Sequence, residues 1–206
     1  MGGAELFFER LCLAQHAAGD AVLPVIKRDM ERAARLRAAG LTSLELGFGQ
    51  AWDLLTRQRL RVALRRFAPR VAVSWMSRAS SFTPRGGYVL VGRLGGFYNL
   101  AHFRRCDHLV GNTRGLVAWM RAQGWPEART HYLPNFVADQ AGAAPAAEFS
   151  GRQPLLLGLG RLHEEKGFDV LVRALPDLPG ATLVLAGDGP ERAALVRLAA
   201  SLGVAP

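Results

Sequence analysis

The 206-residue sequence has little of what would place it outside the cell or inside a membrane. Its two cysteines, Cys12 and Cys106, cannot build a disulfide framework and agree with a reducing cytoplasm. No apolar run reaches the ~20 residues that span a bilayer. The first residues show neither the basic region nor the cleavage signal of an export peptide. The sequence therefore predicts a cytoplasmic protein.

Acidic residues are scarce in one part of the chain. Residues 1–150 contain 20 Lys/Arg and 11 Asp/Glu, a difference of nine, whereas residues 151–206 contain six of each. The first part thus carries the whole net charge of +9. A basic surface of this size favours a phosphate-rich partner, such as nucleic acid, an anionic membrane or a nucleotide sugar. Charge alone does not distinguish among them.

Apolar runs typical of strands alternate with amphipathic runs typical of helices, which predicts a parallel α/β architecture. Residues 137–153 are small and unpatterned, as in a linker, and divide the chain into domains 1–136 and 154–206. The pattern predicts helices over residues 3–18, 30–39, 52–67, 113–123, 165–178 and 190–202, with strands over 21–26, 41–48, 71–75, 88–91, 108–111, 155–159 and 182–186.

Residues 158–167 join a predicted buried strand to a helix that opens at Gly167. Backbone N–H groups and the positive helix end make such a junction a candidate anion site. Arg161 offers a bidentate fork and Lys166 a point charge, so the two could hold a diphosphate. The alternative is a surface loop with two solvated cations.

Residues 186–191 form a second strand-to-helix junction. Gly187 and Gly189 would allow a ligand to approach the backbone, and Pro190 suits a first helical turn. A tight turn is the alternative. Because both junctions follow neighbouring parallel strands, they are expected at the edge where open α/β sheets bind ligands.

In this order the motifs resemble the donor-binding domain of the family 4 glycosyltransferases. The resemblance rests on residues 160–174 and 185–203, and on acceptor-domain landmarks at residues 2–5, 107–113 and 133–137. It implies retaining, nucleotide-sugar-dependent transfer on a GT-B-like α/β fold with two Rossmann-type domains. The first domain would lack its first strand, and the second would be incomplete.

The resemblance also implies roles for individual residues. Arg161 and Lys166 would hold the donor diphosphate and stabilise the charge of the departing nucleotide. The other donor-binding residues would be Gly2, Gly3, Gly160, Gly187, Gly189 and Pro190. No metal or cofactor is expected, and the nucleotide sugar is a substrate.

Three departures from the family pattern limit what the resemblance implies. The paired acidic residues that position the donor sugar would lie beyond Pro206, and the first Rossmann strand would precede Met1. The stretch that often carries a histidine in the family has none here, at residues 94–98. The isolated chain is therefore expected to be inactive.

Weaker candidates lie on the acceptor or membrane side. Arg57, Arg61 and Arg65 form a stripe on a predicted helix, either as a solvated face or as a contact with anionic membrane or a lipid-linked acceptor. Ser77 and Arg78 follow a strand end, where acceptor contacts or a plain turn would lie. A metal site made of His102, Cys106 and His108 is disfavoured, because such spacings are common by chance.

The favoured function is sugar transfer to an envelope glycan or lipid acceptor, in the cytoplasm and with peripheral contact at the inner membrane face. A nucleotide-sugar epimerase of the same fold and a non-catalytic polyanion-binding module are the alternatives. Nucleic acid is not expected, since only Trp52 and Phe67 flank the arginine-rich helix and no stacking platform is interleaved with it.

Overall fold

The computed structural model describes residues 3–49, 53–137 and 154–205. The chain divides into two compact units, Met1–Ala138 and Asp139–Pro206. Gly2 and residues 138–153 of the predicted linker lie outside the described residues.

The first unit contains two parallel sheets and their flanking helices. One sheet pairs β1 with β2, and the other has the order β3-β4-β5-β6. The strands are β1 Val25–Lys27, β2 Leu44–Leu46, β3 Val71–Trp75, β4 Val89–Leu94, β5 His108–Gly111 and β6 Thr130–Tyr132. The helices are α1 Gly3–Ala17, α2 Met30–Ala38, α3 Leu54–Phe67, α4 Met76–Phe82 and α5 Arg114–Ala122, with 3₁₀ turns at Leu100–Phe103 and Glu127–Arg129.

The helices of this unit begin at polar caps and bury one face. Asp29, Asp53 and Thr113 each accept a hydrogen bond from the backbone three residues later. The largest core cluster packs α5 and the first 3₁₀ turn against the four-stranded sheet, through Leu90, Leu94, Phe103, Cys106, Leu109, Leu116, Val117 and Met120. Gly92 lies in this core, where an added Cβ would come within 2.7 Å of Phe103.

The second unit is one βαβ unit followed by a helix. Strands β7 (Leu155–Leu159) and β8 (Thr182–Ala186) pair in parallel, and helices α6 (Phe168–Ala174) and α7 (Arg192–Ser201) follow them. Its core is Leu162, Phe168, Val172 and Leu195, against which Leu183, Leu185 and Leu198 pack.

The α/β class with parallel sheets is confirmed, but three local predictions are wrong. The helix predicted over residues 165–178 is split, because Gly167 adopts a positive φ of 63° between a 3₁₀ turn and α6. Pro190 precedes α7 instead of opening it, since α7 begins at Arg192. The plain turn that was one alternative for Ser77 and Arg78 is wrong, because both residues follow β3 inside α4.

Candidate functional site

Two loops meet at the carboxyl edge of the second unit's sheet. The first loop, residues 160–167, follows β7, and the second loop, residues 187–191, follows β8. Three backbone hydrogen bonds tie this edge together: Gly160 N–H to the Ala186 carbonyl (3.1 Å), Leu162 N–H to the Asp188 carbonyl (2.9 Å) and Glu191 N–H to the Leu162 carbonyl (3.1 Å). The two strand-to-helix junctions predicted from the sequence therefore lie side by side and are joined by backbone hydrogen bonds.

The glycines of the second loop make this close contact possible. A Cβ on Gly187 would lie 1.9 Å from the Gly160 carbonyl oxygen, and one on Gly189 would lie 2.2 Å from that of Leu162. The space beside each glycine is thus filled by the backbone of the first loop. Their presence is explained by loop packing, and a contact with the donor stays a prediction.

Arg161 and Lys166 are both exposed on the first loop. Neither side chain makes a hydrogen bond or an ion pair with another residue that the structure describes. The neighbouring His163 caps the 3₁₀ turn Glu164–Lys166, where its Nδ1 accepts from Glu165 N–H at 3.4 Å. Two cations without carboxylate partners beside a rigid pair of loops are suited to an anionic ligand. Their role in catalysis stays a prediction.

In the first unit, Arg93 is a buried charge that the sequence-based interpretation missed. It is the penultimate residue of β4 and is 2% exposed, with its guanidinium 4.5 Å from the Phe7 ring centre and 4.7 Å from that of Trp75. Its Nη2 donates to Asn135, and its Nε has no acceptor among the described residues. Burial lowers the pKa of Arg93. The sequence pattern predicts a strand that ends at Val91, whereas β4 extends to Leu94 and includes Arg93.

Arg93 also explains part of the acceptor-domain landmarks. It connects β4 with Asn135 and with Phe7 of α1, and Phe7 packs edge-on against Phe136 at 4.8 Å. Gly3 is the first residue of α1, and nothing lies within 4 Å of the position that its Cβ would take. The carboxyl ends of β3 and β4 are therefore fixed against the beginning of α1.

The weaker candidates, which are Arg57, Arg61, Arg65, Ser77 and Arg78, lie in different surroundings in the structure. Arg57 and Arg61 line one cavity, and Arg65 is not among its described lining residues. Arg78 donates to the Phe48 carbonyl at 3.5 Å, and the Ser77 carbonyl accepts from the Ser81 hydroxyl at 2.9 Å. The Arg78 side chain and the Ser77 carbonyl therefore make contacts within the unit.

His102, Cys106 and His108, which are disfavoured as a metal site, do not form a group of metal ligands in the described part of the chain. The His102 ring bonds the Ser81 hydroxyl, whereas His108 lies 2.9 Å from a ring nitrogen of His131. Cys106 is buried in the core, and burial raises its pKa to about 11. Each of the three candidate ligands thus has a different neighbour.

Known proteins match this chain in sequence and in fold. Residues 143–206 match the family "Glycosyl transferases group 1". The lipopolysaccharide core biosynthesis glycosyltransferase LpsE of Rhizobium meliloti is 33% identical over 98% of this chain. The chain spans 61% of the length of that relative.

Solved structures share the fold of nearly the whole chain. A glycosyltransferase from Rickettsia africae superposes with a TM-score of 0.76 at 14% identity, covering 98% of this chain and 62% of its own. The Anabaena protein Alr3699/HepE, solved with UDP and glucose, gives 0.73 at 17% identity, covering 98% and 64%. The GT-B-like α/β fold is thereby confirmed.

No helix in the described part of the chain is long and apolar enough to cross a membrane. The paired loops, the matched family and the shared fold lead to the same conclusion: along almost all its residues, this chain is similar to glycosyltransferases.

Proposed function

We propose that the protein transfers a sugar from a nucleotide-sugar donor to a glycan or lipid acceptor of the cell envelope, with retention. The relative LpsE is named for lipopolysaccharide core biosynthesis, which favours an envelope glycan as acceptor. The related fold of Alr3699/HepE was solved with UDP, which favours a nucleotide diphosphate as the donor's leaving group.

The observation that carries the proposal is the pair of loops at the carboxyl edge of β7 and β8. Ligands of open α/β sheets bind at this edge. Arg161 and Lys166 project from the first loop without carboxylate partners in the described structure. Hydrogen bonds between the loops fix the backbone from which they project, so the cations need little reorganisation to meet a diphosphate.

In this proposal the two cations act on the leaving group. When the bond between sugar and diphosphate breaks, negative charge grows on the diphosphate oxygens. Arg161 would hold two of these oxygens with its planar fork, and Lys166 would supply a compact charge beside them. Such groups stabilise the transition state more than the ground state, and they therefore raise the rate of transfer.

The test is to replace Arg161 and Lys166 singly by alanine in the full-length protein. Loss of one charge-assisted donor to a developing oxyanion costs about 100- to 1000-fold in turnover. Turnover is measured as release of nucleoside diphosphate in the presence of acceptor. Arg197→Ala, a change on α7 of the same unit, is the matched control and should stay near the parent rate.

Near-normal turnover of both variants would overturn the donor-site assignment. Product analysis of the same reactions distinguishes the alternatives. A transferase yields a glycosylated acceptor with the donor's anomeric configuration, whereas an epimerase yields a new nucleotide sugar and needs no acceptor. The place of action proposed is the cytoplasm, with peripheral contact at the inner membrane face through the basic first unit.

A further inference from the structure

The first unit contains a cavity lined mainly by arginines. It has a volume of about 560 Å³, within the ~300–1,000 Å³ usual for ligand pockets. Its described lining residues are Arg57, Arg61, Phe82, Pro84, Arg85, Arg104 and Arg105. Five of these seven residues are cations, and none is a carboxylate.

Backbone carbonyls hold several of these guanidinium groups in place. Arg57 Nη1 and Arg105 Nη1 both donate to the Ser81 carbonyl, each at 3.3 Å. Arg85 donates from Nε to the Arg105 carbonyl at 3.2 Å and from Nη2 to the Arg104 carbonyl at 3.4 Å. Two cations that share one neutral oxygen repel each other, and the cavity therefore favours an incoming anion.

Two aspartates lie near these arginines in the chain, and both accept hydrogen bonds from the backbone. Asp53, one helical turn before Arg57, accepts from Gly49 N–H at 2.9 Å and from the Thr56 hydroxyl at 2.6 Å, and these bonds together with the charge of Arg57 lower its pKa. Asp107 accepts from Leu90 N–H at 2.8 Å. Arg61 and Arg104 form no ion pair or hydrogen bond within the part of the chain that the structure describes. The positive charges of these two side chains are therefore available to an anionic ligand.

A second cavity of about 300 Å³ adjoins the first and shares Arg85 and Arg104 with it. It adds Arg129, whose guanidinium lies 5.6 Å from the Trp125 ring centre. Six arginines thus line the two cavities. A ligand with a single negative charge would not balance the positive charge of these guanidinium groups.

We propose that these two cavities bind a ligand whose phosphate groups carry at least two negative charges. The planar guanidinium fork matches phosphate oxygens in a bidentate way, and several fixed forks favour a multiply charged group over a single carboxylate. The same chemistry is presented by a soluble diphosphate ester and by a phosphomonoester lipid headgroup at a membrane surface. Its described lining residues belong to the first unit, whereas the donor-site residues Arg161 and Lys166 belong to the second.

The test compares two double variants of equal charge by calorimetric titration with inorganic pyrophosphate. Arg61→Gln/Arg104→Gln changes the cavity, and neither side chain makes a contact in the described structure that folding would lose. Arg59→Gln/Arg66→Gln removes two charges from exposed positions of α3 outside the described lining. We expect at least about tenfold weaker binding for the first variant and less than about twofold change for the second.

Two further measurements separate the sources of phosphate and the two proposed sites. Binding to vesicles with phosphatidic acid is compared with binding to phosphatidylserine vesicles of equal charge. If the cavity variant loses binding only to the phosphatidic acid vesicles, the ligand is a lipid headgroup. Pyrophosphate binding that is sensitive to the cavity variant, without vesicle binding, assigns a soluble ester. Arg161→Ala/Lys166→Ala removes any pyrophosphate bound at the proposed donor site and should leave binding at the cavities intact, because those two residues belong to the other unit.

Three outcomes would overturn the proposal. Equal losses in both double variants would show attraction by general surface charge. Loss of pyrophosphate binding only in Arg161→Ala/Lys166→Ala would place the anion in the second unit. Binding of a single-stranded oligonucleotide, weakened by the cavity variant while neither pyrophosphate nor phosphatidic acid binds, would identify a nucleic-acid surface instead.

Discussion

Glu9 is a carboxylate in the first unit that joins α1 to α2. Its side chain is 10% exposed, and its Oε1 accepts from Arg32 Nε at 3.0 Å and from Arg35 Nη2 at 2.8 Å. The hydrogen bond from Arg35 holds the pKa of Glu9 below its ordinary value of 4.5, and that from Arg32 adds to the effect. A buried pair of this kind costs most when one partner is removed, since the other charge is then left without compensation.

We expect Glu9→Gln to lower the free energy of unfolding by about 3 kcal/mol at pH 7. Because folding depresses the pKa of Glu9, its contribution is present above pH 4.5 and is lost as the pH falls through the lower folded value. Urea unfolding at pH 7, 5 and 3 should therefore show a smaller difference between parent and variant at pH 3. Glu31→Gln, on an exposed partner of Arg35 at 4.0 Å, is the control and should change little.

Single residues also show where sequence reasoning reached its limit. Arg161 and Lys166 could be found because they lie between a strand and a helix that periodicity reveals. Arg93 could not, since its importance depends on Phe7 and Trp75, which only the folded chain brings to it. The arginines of the cavity come from α3 and from two later connections, so no local spacing predicts their convergence.

At the scale of elements, strands with strong apolar runs were predicted to the residue, as for β3, β5, β7 and β8. β6 was missed because its three residues, Thr130–Tyr132, carry no apolar run and form a strand only by pairing with β5. The helix predicted over residues 165–178 was too long because periodicity continues across Gly167, whereas the backbone there turns left-handed. Periodicity in the sequence predicts neither which strands pair nor where the backbone turns left-handed.

The contact between the two loops of the second unit yields a prediction about Gly187. A methyl group at this position would lie 1.9 Å from the Gly160 carbonyl oxygen, and backbone cannot move aside as a side chain can. We expect Gly187→Ala to cost at least about 1–3 kcal/mol of stability, measured by denaturant unfolding. Gly115→Ala is the matched control: nothing lies within 4 Å of its Cβ position in α5, so it should be neutral or stabilising. Equal stability of both variants would contradict the loop packing described above.

At the scale of the molecule, charge and apolar surface are distributed unequally. The net charge of +9 arises from residues 1–150, where the arginine-lined cavities also lie. The second unit instead exposes apolar side chains on one face of its sheet: Leu157 is 66% exposed and Leu159 is 79% exposed. Their register partners on β8 are Val184 and Ala186, which share that face. Parallel sheets are usually covered on both faces, and α6 and α7 pack on the opposite one.

This open face predicts how the 206-residue chain behaves in solution. Exposed apolar strands promote association, so Leu157→Thr/Leu159→Thr should reduce concentration-dependent light scattering and binding of a hydrophobic dye. Because both side chains are largely in solvent, we expect the free energy of unfolding to change by less than about 1 kcal/mol. Threonine retains the β-branching that suits a strand.

The control for this prediction lies on the covered face of the same sheet. Leu183 and Leu185 alternate along β8 with Val184 and Ala186, the register partners of the exposed leucines, and pack against Phe168 and its neighbours. Leu183→Thr/Leu185→Thr should therefore destabilise the second unit by at least about 2 kcal/mol and increase scattering, because it places hydroxyl groups in an apolar core. If the outer pair destabilised the unit as much as the inner pair, the face that carries Leu157 and Leu159 would have to be covered in solution, contrary to the exposure seen in the structure.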